Sequence, residues 1–292
     1  LMFAAHMDEV GLMVTKIEEG GFLRFTALGV DPRTLLAQEV IVYGRRPLVG
    51  VVGTRPPHLT DPAEREKAIP TEDLFIDVGL EEAEVRQLVR VGDVITPRRS
   101  LLELAGQRVS GKALDDRAGV AALYAAACHL QKLRLDCDVY FVATVQEEVG
   151  LRGAMVSTFA LMPDIGIAVD VGFGTYPGQA APDVTLLKLG GGPSIGLGAN
   201  VHPAVFRLLK ATAEEHKIPY QLEPFPASSG TDGWAMQVTQ AGLPTGILSI
   251  PLRYMHTSVE LLDMRDVRET GRLCAHFAAR VNRETVEGLY HA

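Results

Sequence analysis

Hydrophobic and polar positions follow two different patterns along the 292-residue chain. Between residues 10 and 97, short segments rich in Val, Ile and Phe are separated by Gly, Pro and charged residues, as in β-strands joined by tight turns. Only residues 81–89 of this region have the pattern of a helix. From residue 106 onward, apolar runs and amphipathic segments alternate. The chain therefore predicts a β-rich region beside an α/β layered domain with a mostly parallel central sheet.

Individual elements of the α/β region follow from the spacing of apolar residues. Helical spacing occurs in four segments, residues 116–133, 151–162, 203–216 and 263–282. Strands are predicted for three apolar runs, residues 137–145, 165–169 and 246–250. The first of these runs is suited to a strand that is buried on both faces. Residues 1–5 have the composition of a buried strand interrupted in mid-course, so we expect that natural residues precede them.

Composition and charge exclude several classes of protein. The formal net charge is −8, which argues against nucleic acid as a partner because phosphate binding needs a basic surface. No apolar run reaches the ~18 residues that a membrane span requires, so no membrane partner is expected. The three cysteines form no CxxC pair and cannot all pair with one another. This pattern argues against a disulfide framework and predicts a cytoplasmic location.

Four apolar runs each end in residues that can bind a metal ion. In chain order these residues are His6, Glu147 with Glu148, Asp170 and His256. Ligands of open α/β sheets bind outside the carboxyl ends of the strands, where these side chains are expected to meet. Asp115, just before an Ala-rich helix, is a fifth candidate position. Two imidazoles and several carboxylates suit a pair of Zn²⁺, Co²⁺ or Mn²⁺ ions, and the absence of cysteine argues against a closed structural zinc site.

Each candidate also has an ordinary structural explanation. An Asp before a helix is often an N-cap, and a His at a strand end is often a core or surface residue. Chance is a poor explanation for all of them together, because converging carboxylates would raise each other's pKa unless cations neutralised them. Neighbouring Glu147 and Glu148 point in different directions, so one can bind metal while the other stays free as a general base.

Asp8 is a candidate for orienting an imidazole. It lies two residues after His6 and can reach the second ring nitrogen, which would fix the tautomer and the orientation of the ring. The alternative for Asp8 and Glu9 is a solvated turn.

Five motifs resemble, in order and spacing, those of the M42 family of dinuclear metalloaminopeptidases, the group of glutamyl and tetrahedral aminopeptidases. These motifs are AHMDEVG (5–11), KALDDRAG (112–119), QEEVGLRGA (146–154), VDVG (169–172) and RYMHTSVE (253–260). The resemblance covers nearly the whole chain. It implies that Asp115 bridges two divalent metal ions, which would be Zn²⁺ or Co²⁺, with Mn²⁺ as a further candidate. The other ligands would be His6 with Asp170 at one ion and Glu148 with His256 at the other.

The resemblance also implies roles for the remaining parts of the chain. Glu147 would be the general base, and Asp8 would orient His6. Residues 1–8 and 106–292 would form the catalytic domain, and residues 9–105 an inserted β-rich dimerisation domain. Such an insert should have exposed strand edges that need covering, which also predicts a homodimer. Dimers of this family often assemble into dodecamers.

The predicted function is a cytoplasmic aminopeptidase that releases N-terminal residues from short peptides. Another metal-dependent hydrolase on the same scaffold is an alternative, since some relatives carry an endoglucanase label. A catalytically silent assembly that binds metal or peptide is a second alternative. One departure concerns the run GFGTYPG (172–178), which lacks the acidic residue that the family commonly has before Pro-Gly. SGTDG (229–233) resembles a family turn near the substrate pocket.

Overall fold

The computed structural model describes residues 1–56, 58, 69–178 and 184–289, which form two compact units. The α/β unit comprises the described parts of Leu1–Glu9, Leu102–Met255 and Glu260–Ala292, and the β unit those of Val10–Leu101 and His256–Val259. Within these described ranges, no helix combines the length and apolar character needed to cross a membrane.

Strands and helices are numbered here in chain order. The strands are β1 (Met2–His6), β2 (Gly11–Ile17), β3 (Leu23–Leu28), β4 (Glu39–Tyr43), β5 (Pro47–Gly53), β6 (Phe75–Asp77), β7 (Val94–Pro97), β8 (Leu102–Leu104), β9 (Arg108–Gly111), β10 (Tyr140–Thr144), β11 (Gly166–Phe173), β12 (Ser194–Gly198), β13 (Gln221–Phe225), β14 (Thr245–Arg253) and β15 (Glu260–Asp263). The α-helices are α1 (Glu82–Leu88), α2 (Leu114–Leu130), α3 (Arg152–Leu161), α4 (Pro203–Glu215), α5 (Asp232–Gln237), α6 (Met264–Arg280) and α7 (Arg283–Leu289).

The β unit is a closed barrel with the strand order β2-β3-β6-β5-β4-β7, in which neighbouring strands are antiparallel. Alternate residues of each strand point inward, so that Leu12, Val40 and Ile76 are buried in its core. Closure removes free strand edges, and the expectation of exposed edges in this insert was therefore wrong. Association of the β unit with a second protomer would therefore have to use the outer face of the barrel.

The α/β unit is built on a sheet with the order β10-β1-β11-β14-β15-β9-β8, to which β12 and β13 are added beside β14. Its four strands β10, β1, β11 and β14 are parallel, whereas β15, β9 and β8 extend the sheet in antiparallel fashion. The predicted fold class, an α/β layered domain with a parallel central sheet and a separate β-rich unit, is confirmed. The division of roles between residues 1–8 with 106–292 and residues 9–105 stays a prediction.

Helices cover both faces of this sheet. Odd-numbered residues of β1, such as Phe3, belong to the core that contains α2 and α6, while Met2 and Ala4 pack in a smaller core with α3 and α5. Alternation along the strand therefore places His6, the last residue of β1, on the face of α3 and α5.

The structure differs from the predicted elements at some positions. The strand predicted over residues 137–145 is shorter and only partly buried, because β10 pairs with β1 on one side and with no other described strand. Tyr140 on this strand is 41% exposed. Two further strands, β12 and β13, and the short helix α5 have no clear periodicity and were not predicted from the sequence.

Candidate metal centre

The carboxyl ends of neighbouring parallel strands bring the predicted ligands together. His6 ends β1 and pairs in register with Thr144, the last residue of β10, and Glu147 and Glu148 follow three and four residues later. Asp170 lies in β11 on the other side of β1. The ends of the three neighbouring strands β10, β1 and β11 thus place the imidazole of His6 between carboxylates, as the sheet topology predicts.

His6 lies at the middle of this arrangement and is almost fully buried. Its Nε2 atom is 3.1 Å from Asp115 Oδ1, 3.8 Å from Asp170 Oδ1 and 3.9 Å from Glu147 Oε2. Burial by itself would lower the pKa of the imidazole. Hydrogen bonds to Asp115 and Asp8, together with the charge of Asp170, instead raise the pKa of His6 well above its ordinary value.

Asp8 contacts both His6 and the Glu147–Glu148 pair. The Nδ1 atom of His6 lies 3.2 Å from the backbone oxygen of Asp8 and 3.6 Å from its Oδ1 atom. The two carboxylate oxygens of Asp8 accept hydrogen bonds from the backbone N–H groups of Glu147 (3.2 Å) and Glu148 (3.3 Å). Burial opposes its ionisation, but the hydrogen bonds from His6 and these N–H groups lower the pKa of Asp8. Asp8 therefore makes specific contacts, unlike a residue of a solvated turn.

Asp115 and Asp116 make different contacts at the start of α2, and a cis peptide bond joins them. Asp115 has an extended backbone and turns its carboxylate to His6. Asp116 accepts hydrogen bonds from the N–H groups of Gly119 (3.0 Å) and His6 (3.2 Å), and the first of these is the geometry of an N-cap. The ordinary N-cap role thus belongs to Asp116, which leaves Asp115 available as a ligand.

Gly119 is required by the position of the Asp116 carboxylate. A Cβ atom at residue 119 would lie 2.7 Å from Cγ of Asp116, and both carboxylate oxygens are closer still. We therefore expect Gly119→Ala to lower the free energy of unfolding by about 1–3 kcal/mol, because the cap must move in a packed interior. Gly288→Ala is the matched control, since no described residue lies within 4 Å of its Cβ position on α7. Urea unfolding checks both, and equal stability of the two variants would contradict the prediction.

Glu147 and Glu148 belong to two different groups of possible metal ligands that share His6. One group is His6 with Glu147 and Asp170, and the other is His6 with Asp115 and Glu148. Within each group, the possible ligand atoms all lie within 4.8 Å of one another. Burial raises the pKa of Glu147 to about 8, and the charges of Glu148 and Asp232 contribute to this rise against the opposing effect of His6. Burial also raises the pKa of Asp170 well above its ordinary value.

Two further carboxylates near the centre were not among the predicted site residues. Glu260, the last residue of the motif RYMHTSVE, accepts hydrogen bonds through Oε2 from the N–H groups of Leu114 (2.7 Å) and Asp115 (3.2 Å). Asp232, in the motif SGTDG, accepts a hydrogen bond from the Thr144 hydroxyl. Its other oxygen is buried without a hydrogen-bond partner among the described residues. Membership of these motifs was the only signal for either residue.

Neither of the two groups of possible metal ligands contains His256, the remaining predicted ligand. It follows β14, has a left-handed backbone (φ 62°), and belongs to the segment His256–Val259 of the β unit. Its place among the ligands stays a prediction.

The donor set fits divalent metal ions. An imidazole and four carboxylates converge in this site, where burial and their like charges raise the pKa of Glu147 and Asp170. Two cations of the Zn²⁺, Co²⁺ or Mn²⁺ type would relieve this repulsion, and nitrogen with oxygen ligands suits each of them.

Comparisons with known proteins agree with this chemistry. A family model described as M42 glutamyl aminopeptidase matches residues 1–273. The chain is 41% identical over 281 residues to a lysyl aminopeptidase of Pyrococcus furiosus, covering 94% of this chain and 79% of that protein.

Solved structures show the same fold. A TET aminopeptidase from Thaumarchaeota archaeon SCGC AB-539-E09 superposes with a TM-score of 0.92 at 33% identity, over 99% of this chain and 83% of the other. The TET1 peptidase of Pyrococcus horikoshii, described as assembling into a tetrahedron or a large octahedral shell, gives a TM-score of 0.82 at 34% identity. That match covers 96% of this chain and 83% of the other.

Proposed function

Because this chain belongs to the M42 glutamyl aminopeptidase family and is a peptide hydrolase, we propose that its carboxylate-rich crevice is a dinuclear metal centre that removes N-terminal residues from short peptides. The observation that supports this proposal is the convergence of four carboxylates on His6 at the carboxyl ends of three strands. A second imidazole, His256, would complete the ligand set. Cytoplasm is the proposed location, in keeping with three cysteines that are all free.

Each residue would have a distinct role at the centre. Asp115 would bridge two ions, with His6 and Asp170 completing one site and Glu148 and His256 the other. When bound, the ions would supply Lewis acidity that polarises the scissile carbonyl and lowers the pKa of water.

The chain's own groups would handle the protons. Glu147 would accept a proton from the attacking water and donate it to the leaving amine, and its position beside the proposed ligands suits both steps. Asp8 would hold the imidazole of His6 in place and, through its two backbone hydrogen bonds, the turn that carries both glutamates. Glu260 would hold the backbone of Asp115.

Metal removal tests this function and identifies the ions. We expect dialysis against a chelator to remove most of the activity on aminoacyl chromogenic substrates, because the carbonyl then lacks its Lewis acid. Adding back Co²⁺, Zn²⁺ or Mn²⁺ in turn should restore it to different degrees. Unchanged peptidase activity in chelator would contradict a metal centre. Metal-independent cleavage of glucans, with no peptidase activity, would support the endoglucanase alternative, since glycosidases generally work with two carboxylates.

We further propose that the chain is a homo-oligomer that associates through the outer face of the barrel, in keeping with the assemblies described for its structural relatives. Most outward-facing residues of β4 and β5 are apolar, with Val49 52% and Val51 49% exposed and Tyr43 nearby at 42%, whereas Glu39 at the start of β4 is charged. Ile41 is the cross-strand neighbour of Val49. A contiguous apolar surface of this kind is a typical site for a second protein. A dimer that forms here could be the building block of a dodecamer.

A charge on this outer face should weaken the assembly. We expect Val49→Arg to shift the protein toward the 31.5 kDa monomer in light scattering, because an unpaired charge would be buried in the interface. Val91→Arg is the control, since Val91 is also exposed (65%) but lies in the turn after α1. A stable monomer for the parent protein would contradict the oligomer proposal.

A further inference from the structure

Glu9 lies at the centre of an ion cluster directly after the His6 turn. Its side chain is only 13% exposed, and both of its oxygens accept hydrogen bonds from Lys112 Nζ, at 2.7 and 2.8 Å. Arg117 Nη2 donates to the same carboxylate at 3.1 Å. We call Glu9, Lys112 and Arg117 the Glu9 cluster. Glu9 and Lys112 are both largely buried, whereas Arg117 is 52% exposed. Charge-assisted hydrogen bonds like that between Glu9 and Lys112 are among the stronger polar contacts in proteins.

The Glu9 cluster joins two segments that carry ligands. Lys112 and Arg117 lie on either side of Asp115, whereas Glu9 lies three residues after His6. Arg117 also donates from Nε to the backbone oxygen of Met7 at 3.2 Å. The turn of residues 7–9 is thereby tied to the start of α2 at two points, and the distance from His6 Nε2 to Asp115 Oδ1 depends on both.

We propose that Glu9 is a positioning residue that holds the His6 turn against the segment bearing Asp115 and thereby sets the affinity of the centre for divalent metal ions. This inference rests on the proposed metal centre. Glu9 itself binds no ion, because both of its oxygens are occupied by Lys112.

The physical reason is the precision that metal ligation requires. Ligands must be held within about 0.5 Å of their productive positions, and their supporting contacts supply that restraint. Without the Glu9 carboxylate, Lys112 and Arg117 would repel each other, and Lys112, which is 19% exposed, would lose its counter-charge. Both would tend to move toward the remaining carboxylates. Asp115 lies three residues from Lys112, so it would be displaced or paired with a cation other than the metal.

Co²⁺ titration of the full-length protein tests this role, after the protein has been dialysed free of metal. Visible absorption reports on Co²⁺ coordination, and thermal unfolding of the same samples reports on stability. We expect Glu9→Ala to weaken Co²⁺ binding about tenfold, as is typical for residues that support metal ligands, and Glu9→Gln to weaken it less. The loss of turnover should be largely restored at saturating Co²⁺. Glu269→Gln is the matched control, because Glu269 is 23% exposed and pairs with Arg272 on α6.

A double-mutant cycle separates a specific contact from a general loss of stability. Lys112→Met alone should also weaken Co²⁺ binding, and the Glu9→Gln, Lys112→Met pair should lose less than the product of the single effects, because both changes break the same contact. Co²⁺ affinities of the Glu9 variants within about twofold of the parent, with only stability reduced, would overturn the inference. A parent protein that bound no Co²⁺ would instead overturn the proposed metal centre as well.

Discussion

Glu147→Gln is expected to lower kcat by about 10²- to 10⁴-fold, or roughly 3–5 kcal/mol of transition-state stabilisation, while both metal ions stay bound. The amide keeps the shape of the side chain but cannot accept the proton of the attacking water. The loss should therefore fall on the chemical step rather than on substrate binding. The two hydrogen bonds to Asp8 come from backbone N–H groups, so this substitution leaves them in place.

Glu148→Gln is the matched comparison, because the neighbouring carboxylate is proposed to bind metal. A neutral amide replaces a charged ligand in that variant, so metal content and activity should fall together. Metal analysis of both purified variants, beside steady-state kinetics, distinguishes the two roles. The proximity of Glu147 Oε2 to His6 Nε2, at 3.9 Å, makes this comparison necessary, since Glu147 lies close enough to bind an ion itself. Loss of an ion in Glu147→Gln, or near-normal turnover with both ions bound, would refute the assignment.

N-acetylation of a peptide substrate is expected to reduce turnover by about 10⁴-fold or more. An aminopeptidase site must recognise the free amine, and a site built around one polar group rejects an analogue that lacks it by factors of this size. The acidic surroundings of the proposed centre favour a free amine, and an internal peptide bond presents no such group.

The measurement compares a short free peptide with its N-acetylated form at equal concentration, with product release followed by chromatography. The same peptide with an amidated C-terminus is the control, because removal of the distant carboxylate should have little effect. Equal cleavage of the blocked and free peptides would show an endopeptidase or another hydrolase. An absence of cleavage with all peptides, despite bound metal, would favour the silent assembly.

Much of the fold, and the proximity of most candidate ligands, could be predicted from local sequence. The predicted helix over residues 263–282 corresponds to α6, because apolar residues recur on one face of a continuous segment. His6 and Asp170 could be placed because parallel strands deliver their last residues to one edge of a sheet. Elements that were missed, such as β12, β13 and α5, have short or mixed patterns, and in β13 only Glu223 is buried.

Tertiary structure alone decided which of these residues contact one another. The sequence determined that carboxylates follow strand ends, since hydrophobic periodicity marks those ends and the motifs place the ligand types. It could not determine that Glu9 is paired, because its partner Lys112 is 103 residues away, or that Asp8 holds the turn of Glu147, 139 residues away. It also left open whether Asp115 or Asp116 caps α2, and whether the barrel closes. Each of these depends on contacts between segments distant in the chain, which form only after both segments have packed, and local periodicity contains no information about them.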